Sequence, residues 1–236
     1  LLGLGFVGGL LIITFLIIDY AKDLPRPEKF TDKETAESTK IYARDGQTIL
    51  YEIYGEEKRT VIPLDKISDY LQKAVIATED AGFYAHHGIS LKAIARAIFV
   101  DFKLLKPLQG ASTISQQLIR SSYLSEEKTS VRKTREIILS LELERRYSKN
   151  QILEFYLNQI PFGQNTYGIQ TASQTYFNKN ADELSLAQSA LLTALIQAPS
   201  RLSPYGPNKE ALLERKNYVL QRMLELKFIT QDEKQQ

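Results

Sequence analysis

Carboxylates and histidines are concentrated in residues 77–90, ATEDAGFYAHHGIS, which contain two adjacent acids and both histidines of the chain. Glu79 and Asp80 follow apolar residues at helical spacing. Burial against such residues disfavours the charged carboxylate and raises its pKa, so that it can act as a general acid or base. Asp80 can instead order a turn, and His86 can hold backbone groups. The segment alone leaves catalysis and a solvent-facing helix end both open.

A second polar cluster lies in GASTISQQLIR, at a predicted loop-to-helix junction. Free N–H groups and hydroxyls at a helix start can bind an anion. In the alternative interpretation, Ser112 or Thr113 is an ordinary N-cap and Gln116 closes a capping box. Gln116 and Gln117 also offer amide groups suited to sugar hydroxyls. The two interpretations are compatible.

A third cluster places Arg132 and Lys133 four and three residues before Glu136, on one face of a long predicted helix. Alone, this spacing is typical of an ion-pair ladder on a helix surface. Together with Arg120 and Lys128, the cations could neutralise a phosphate group, and Glu136 among them is expected to remain ionised. Two carboxylates in contrasting environments are typical of glycosyl chemistry.

Composition limits the kinds of metal site and partner that the chain can have. The chain of 236 residues has no cysteine and two histidines, which excludes thiolate and multi-histidine metal sites. Any metal must be held by oxygen ligands, which favours a hard divalent cation such as Mg²⁺ or Mn²⁺. The net charge of +2 gives no support for a nucleic-acid partner.

The amino-terminal region predicts a membrane anchor. Residues 1–18 are uncharged, and about 18 such residues suffice for a transmembrane helix. A signal peptide or a buried helix is the alternative. We therefore assign residues 1–20 to a transmembrane helix and the charged, proline-bearing residues 21–39 to a linker.

The remaining pattern predicts a mainly α domain with a short β-hairpin. Alternating residues around Asp45-Gly46 predict strands at 40–44 and 48–54. Amphipathic helical patterns follow to the end of the chain, and Ser148 with Gln151 and Ser185 with Gln188 form predicted capping boxes. The apolar run IARAIFVDFKLLKPL is either a buried helix or a surface that dips into a membrane.

Four motifs in this order closely resemble the peptidoglycan glycosyltransferase domain (glycosyltransferase family 51) of class A bifunctional penicillin-binding proteins and monofunctional glycosyltransferases. The first, E-D-x-x-F-x-x-H-x-G, is matched by Glu79, Asp80, Phe83, His86 and Gly88. The second, G-x-S-T-I-x-Q-Q, is matched by Gly110, Ser112, Thr113, Ile114, Gln116 and Gln117. The third, R-K-x-x-E followed by L-E, is matched by Arg132, Lys133, Glu136, Leu141 and Glu142. The fourth is matched by Lys149, Ile152, Leu153, Tyr156, Leu157 and Asn158.

The resemblance implies a lysozyme-like helical domain over residues 40–228, with a smaller membrane-facing jaw subdomain at about 90–112. It implies polymerisation of lipid II into β-1,4 glycan strands on the outer, periplasmic face of the cytoplasmic (inner) membrane. It also implies a single-pass anchor, contact with membrane lipid and the growing strand, and cell-wall synthesis proteins as partners. The linker-like tail, residues 229–236, favours a piece of a longer bifunctional protein over a monofunctional enzyme.

The resemblance also implies roles for individual residues. Glu79 is the expected general base, and Glu136 is expected to assist near the donor pyrophosphate, directly or by holding a divalent cation. Asp80 and His86 are further expected to shape the turn that presents Glu79, and Ala81 departs from the arginine that many members carry there. The predicted substrate-binding residues are Asp80, Phe83, His86, Gly110, Ser112, Thr113, Gln116, Gln117, Arg120, Lys128, Arg132 and Lys133.

Two other functions stay open from the sequence. A lysozyme-type hydrolase or lytic transglycosylase would use a similar acidic pair to cut glycan. A membrane-tethered scaffold without catalytic activity would need neither Glu79 nor Glu136. The basic cluster and the predicted anchor favour a transferase that acts on a lipid-linked sugar phosphate.

Overall fold

The computed structural model describes residues 39–42, 44, 49–53, 58–95, 112–123 and 130–235. The predicted anchor, Gly110, Lys128 and most of the predicted jaw lie outside these ranges. Within them, no helix combines the length and the apolar character needed to cross a membrane.

Helices dominate the described chain, which confirms the predicted mainly helical fold class. The longer helices are α1 (Asp69–Glu79), α2 (Ile114–Tyr123), α3 (Ser130–Arg146), α4 (Lys149–Gln159), α5 (Ile169–Phe177), α6 (Leu186–Ile196) and α7 (Lys209–Glu225), followed by the short α8 (Gln231–Gln235). Single 3-10 turns lie at Leu64–Lys66, Phe83–Ala85 and Ala181–Glu183.

The strands are short. β1 (Thr39–Tyr42) and β2 (Ile49–Ile53) pair antiparallel, with Thr39 opposite Ile53. The turn predicted at Asp45-Gly46 lies outside the described residues. A second sheet, which the sequence pattern did not indicate, has the order β3-β5-β4, where β3 is Lys58–Arg59, β4 is Pro161–Gly163 and β5 is Thr166–Tyr167. Strands of two or three residues are too short to show an alternating pattern.

Two groups of helices build the core. Helix α1 packs against α6 and α7, while α2 packs against α3 and α4. Helix α1 buries Leu71, Ala74 and Val75 completely, and these positions three and four apart form one apolar face. The candidate site lies where the end of α1 meets α2.

Local signals fix several helix ends. The capping boxes predicted at Ser148 with Gln151 and at Ser185 with Gln188 are both present at the starts of α4 and α6. Helix α1 ends at Glu79 because Asp80 leaves the helical conformation, with φ −156° and ψ 75°. The final residue of α1 is therefore the predicted base.

The first-motif loop, residues 80–88, directly follows α1. At its far end Gly88 has φ +88°, and a Cβ atom there would lie 2.8 Å from the backbone oxygen of Ser140 on α3. Only glycine combines this backbone conformation with so close an approach. The loop is thus fixed at both ends, by the end of α1 and by its contact with α3.

Candidate active site

Glu79 is a half-buried carboxylate held by one amide. Its Oε2 atom accepts a hydrogen bond of 2.8 Å from Nε2 of Gln117 on α2. Burial raises the pKa of Glu79, the Gln117 hydrogen bond and the positive charges of Arg215 and Arg120 lower it, and the charge of Asp80 raises it. The net result is a raised pKa, as the sequence predicted for a carboxylate beside apolar residues.

Gln117 is itself held from the other side. The hydroxyl of Tyr156 on α4 donates a hydrogen bond of 3.0 Å to Oε1 of Gln117. Tyr156 is completely buried, and burial raises the pKa of its hydroxyl well above the usual value. Tyr156 is therefore a neutral hydrogen-bond donor at physiological pH.

Asp80 joins the first-motif loop to the start of α2. Its Oδ1 and Oδ2 atoms lie 3.0 and 2.8 Å from Nε2 of His86, and Oδ2 also accepts the backbone N–H of Ile114 at 3.1 Å. A carboxylate at the first turn of a helix is favoured by the helix dipole. Asp80 is 7% exposed, so its contacts shape the turn, as expected.

His86 and Glu144 extend this polar contact to α3. Nδ1 of His86 lies 3.9 Å from Oε1 of Glu144, and the same oxygen accepts a hydrogen bond from the hydroxyl of Ser115. Lys149 completes the cluster, with its Nζ 2.6 Å from Oε2 of Glu144 and 4.5 Å from the ring centroid of Phe83. These groups connect the first-motif loop to α2, α3 and α4.

The sequence interpretation overlooked Glu144. The chain contains two consecutive Leu-Glu pairs, at 141–142 and 143–144, and the motif was matched to the first. Glu142 lies on the outer side of α3, where hydrogen bonds from Arg145, followed by those from Arg146, lower its pKa to about 2. The buried partner of the loop is Glu144, two residues further on. Glu144 lies four residues after the buried Ser140 and eight after the buried Glu136, and this helical spacing would have indicated that it faces inward.

Glu136 is buried, at 1% exposure, and pairs with Lys133 one turn earlier on α3. Lys133 also donates a hydrogen bond of 3.1 Å to the hydroxyl of Ser112. The side chain of Lys133 remains 44% exposed. One cation thus links the second and third motifs and still faces solvent.

The start of α2 is a capping box. The backbone N–H of Thr113 donates to Oε1 of Gln116 at 3.1 Å, and the N–H of Gln116 donates to Oγ1 of Thr113 at 3.2 Å. The Thr113 hydroxyl donates in turn to the carbonyl oxygen of Gly88 at 2.7 Å. Thr113 and Gln116 therefore form the predicted N-cap. The hydroxyl of Ser112 contacts the Lys133 cation instead.

The predicted substrate-binding residues separate into two groups. Four of them are buried and contact other protein groups, and their expected contact with substrate stays a prediction: Asp80, Phe83, Thr113 and Gln116. His86, with a side chain 10% exposed, belongs with them. The others that the structure describes are half-buried or exposed: Ser112, Gln117, Arg120, Arg132 and Lys133.

The divalent cation that the resemblance implies at Glu136 stays a prediction. One Glu136 oxygen is bonded to Lys133. No group of three histidine, aspartate or glutamate residues that could hold a metal ion occurs in the part of the chain that the structure describes. No step of the mechanism below passes through a metal.

Comparison with known proteins identifies the class to which this fold and site belong. Residues 46–224 match the family model described as Transglycosylase. The chain belongs to this family, which confirms the peptidoglycan glycosyltransferase resemblance read from the motifs.

Individual relatives are penicillin-binding proteins. The chain is 42% identical over 235 residues to penicillin-binding protein 1A of Rickettsia bellii (strain RML369-C), covering 98% of this chain and 29% of that protein. It is 40% identical over 228 residues to penicillin-binding protein 1A of Aquifex aeolicus (strain VF5), covering 97% of this chain and 30% of that protein. The crystal structure of penicillin-binding protein 1A from Haemophilus influenzae matches with 25% identity and a TM-score of 0.46, over 86% of this chain and 20% of that one. The chain thus spans less than a third of the length of these relatives.

Proposed function

We propose that this chain polymerises lipid II into β-1,4 glycan strands, with inversion at the anomeric carbon and release of undecaprenyl pyrophosphate. The observation that carries the proposal is that the motifs supply two groups: a half-buried Glu79, whose pKa is raised, and a solvent-facing cation, Lys133, which is held by Ser112 and Glu136. A base and a positive charge are the two groups that this reaction requires.

Glu79 is the proposed general base. Its ionised carboxylate takes the proton of the acceptor 4-hydroxyl group, and that oxygen attacks C1 of the donor sugar as the bond to the pyrophosphate oxygen breaks. A raised pKa makes the carboxylate a better proton acceptor. The amide of Gln117 and the nearby arginines oppose this increase and so favour the ionised carboxylate, which is the form that acts as a base.

The cations of the site stabilise the negative charge of the leaving group. A departing pyrophosphate carries its own negative charge and needs electrostatic stabilisation more than a proton. Lys133, with Arg120 and Arg132, supplies this charge, and Lys128 is proposed to contribute from outside the described residues. Buried Glu136 acts through Lys133, which it holds against Ser112.

The setting of the reaction completes the proposal. Residues 1–20 anchor the chain as a single pass in the cytoplasmic (inner) membrane, and the lysozyme-like domain faces the periplasm. The jaw at about 90–112 contacts membrane lipid, and the growing glycan strand and cell-wall synthesis proteins are the partners.

Substitution of Glu79 by glutamine tests the proposal. Glu79→Gln removes the base and keeps an amide of the same shape, so polymer formed from lipid II should fall by about 10²–10⁴-fold. The glycan products are separated by length, and circular dichroism shows whether the variant is folded. A parallel reaction of the unmodified chain with EDTA tests whether polymerisation needs the expected divalent cation. Polymerisation at the normal rate by a folded Glu79→Gln variant would refute the assignment.

A lysozyme-type hydrolase or lytic transglycosylase is the second candidate, and the raised pKa of Glu79 is the observation that favours it. A glycosidase requires such a carboxyl group as a proton donor to the leaving oxygen. Incubation of the chain with purified cell-wall polymer separates the two functions. Release of soluble glycan fragments would support the hydrolase, and their absence alongside lipid II polymerisation supports the transferase.

A further inference from the structure

Tyr156 belongs to the fourth motif, and neither the sequence nor the proposed mechanism gives it a role. It is completely buried on α4, and a single side chain, that of Gln117, connects its hydroxyl to the proposed base. The contacts run from Tyr156 Oη to Gln117 Oε1 at 3.0 Å and from Gln117 Nε2 to Glu79 Oε2 at 2.8 Å. A tyrosine and a glutamate from different helix groups thus share a single amide.

An amide side chain can be placed in two orientations that exchange its oxygen and its nitrogen. With the nitrogen toward Glu79, the amide donates to a carboxylate. With the oxygen toward Glu79, it accepts from a protonated carboxyl group. The orientation of Gln117 therefore decides which protonation state of Glu79 is stabilised.

The tyrosine hydroxyl favours one of these orientations. Among the described residues, Gln117 is the only hydrogen-bond partner of the Tyr156 hydroxyl. If the amide turned its nitrogen toward Tyr156, the hydroxyl would accept that hydrogen bond and its own buried proton would be left without an acceptor. Leaving a buried donor unpaired is costly, so Tyr156 favours the orientation in which its hydroxyl donates to Oε1.

We propose that Tyr156 is a positioning residue that acts through Gln117: its buried hydroxyl fixes the amide so that the N–H group points at Glu79 and favours the ionised carboxylate. This inference rests on the proposed function only in giving Glu79 the role of base. The orientation itself follows from the three side chains.

Tyr156→Phe removes one oxygen atom and the bias that it imposes. The amide of Gln117 then offers either its oxygen or its nitrogen to Glu79, so the titration midpoint of Glu79 moves to higher pH. At a fixed pH on the acid side of the rate profile, lipid II polymerisation should fall by about three- to tenfold, since hydrogen bonds to charged groups are among the stronger ones. The rate on the plateau at higher pH stays close to that of the wild type.

The matched control is Tyr176→Phe. The Tyr176 hydroxyl also donates one hydrogen bond, of 2.8 Å, to the backbone oxygen of Phe162, but it has no contact with Glu79 or Gln117. This variant loses a comparable bond and should keep the acid side of the profile unchanged. If the role of Tyr156 were purely structural, the acid side of the pH profile would be the same in the two variants.

A double variant keeps the test valid if Tyr156→Phe folds poorly. Gln117→Met removes the amide, and Gln117→Met with Tyr156→Phe replaces both polar partners, which leaves no buried amide oxygen unpaired. If Tyr156 acts through Gln117, the single Gln117→Met variant and the double variant have the same pH profile. An additional shift in the double variant, or an unchanged profile for folded Tyr156→Phe, would overturn the inference.

A measurement without substrate separates this inference from the proposed function. Carbon-13 NMR of protein labelled at the glutamate side-chain carboxyl follows the titration of Glu79, whose signal is identified by its loss in Glu79→Gln. A higher midpoint in Tyr156→Phe supports the inference even if lipid II is not a substrate, and an unchanged midpoint overturns it even if lipid II is polymerised.

Discussion

At the scale of single residues, the site depends on the protonation state of Glu79, which opposing effects determine. Burial favours the neutral carboxyl group, while the Gln117 amide and two arginines favour the charged one. Arg215, which the sequence interpretation did not select, is one of these arginines, and its guanidinium carbon lies 4.5 Å from the ring centroid of Tyr218. No local pattern links residues 79 and 215, since helix packing alone brings them together.

Removal of the Arg215 charge should make Glu79 harder to ionise. Arg215→Met keeps a long apolar side chain and eliminates a charge that lowers the pKa of Glu79, so the acid limb of the polymerisation profile should move to higher pH. Arg222→Met is the control, because Arg222 pairs with Glu225 on the same helix. Equal profiles for the two variants would show that the Arg215 charge does not reach Glu79.

Lys133 provides a second residue-scale prediction. Lys133→Met removes the cation proposed to stabilise the leaving pyrophosphate, so kcat for lipid II should fall by about 10²-fold or more. Lys73→Met removes a cation that pairs with Asp69 on the surface of α1 and should leave kcat within about twofold, as expected for an exposed ion pair. A normal kcat for folded Lys133→Met would contradict this role.

At the scale of elements, the first-motif loop is held by contacts that the sequence predicted only in part. Local signals were sufficient for the turn at Asp80 and for the capping boxes, because the residues involved are neighbours in the chain. The contact of His86 with Glu144 joins residues 58 positions apart in an arrangement that depends on how α3 packs. The choice between two Leu-Glu pairs could not be made from the motif, because it depends on which side of α3 faces inward.

The loop should be sensitive to a single methyl group at Gly88. Gly88→Ala places a Cβ atom 2.8 Å from the Ser140 oxygen at φ +88°, and such a strained position should lower the free energy of unfolding by about 1–3 kcal/mol. Gly82→Ala in the same loop places a Cβ atom 3.9 Å from its nearest neighbour, Cδ2 of His86, and should have little effect. Urea unfolding compares the two, and equal stabilities would contradict the close contact with α3.

At the scale of the whole molecule, the helical class and the position of the chemical motifs could be predicted, while the contacts that tune them could not. The sequence selected Glu79, Gln117 and Lys133 as candidates, because each belongs to a contiguous motif. The arrangement of Tyr156, Gln117 and Glu79 requires two helix groups to meet, and the sheet β3-β5-β4 pairs β3 with β5, which lies far along the chain. Sequence periodicity describes single elements and contains little information about such long-range pairing.

The pH dependence of lipid II polymerisation tests the central claim most directly. A general base must be ionised, so the rate should rise with pH through the raised pKa of Glu79 and then reach a plateau. The rising limb should therefore lie above the ordinary range of a glutamate, and Glu79→Gln should abolish it. A rate that is highest at low pH and falls as Glu79 ionises would show that this residue donates a proton instead, and it would contradict the proposed mechanism.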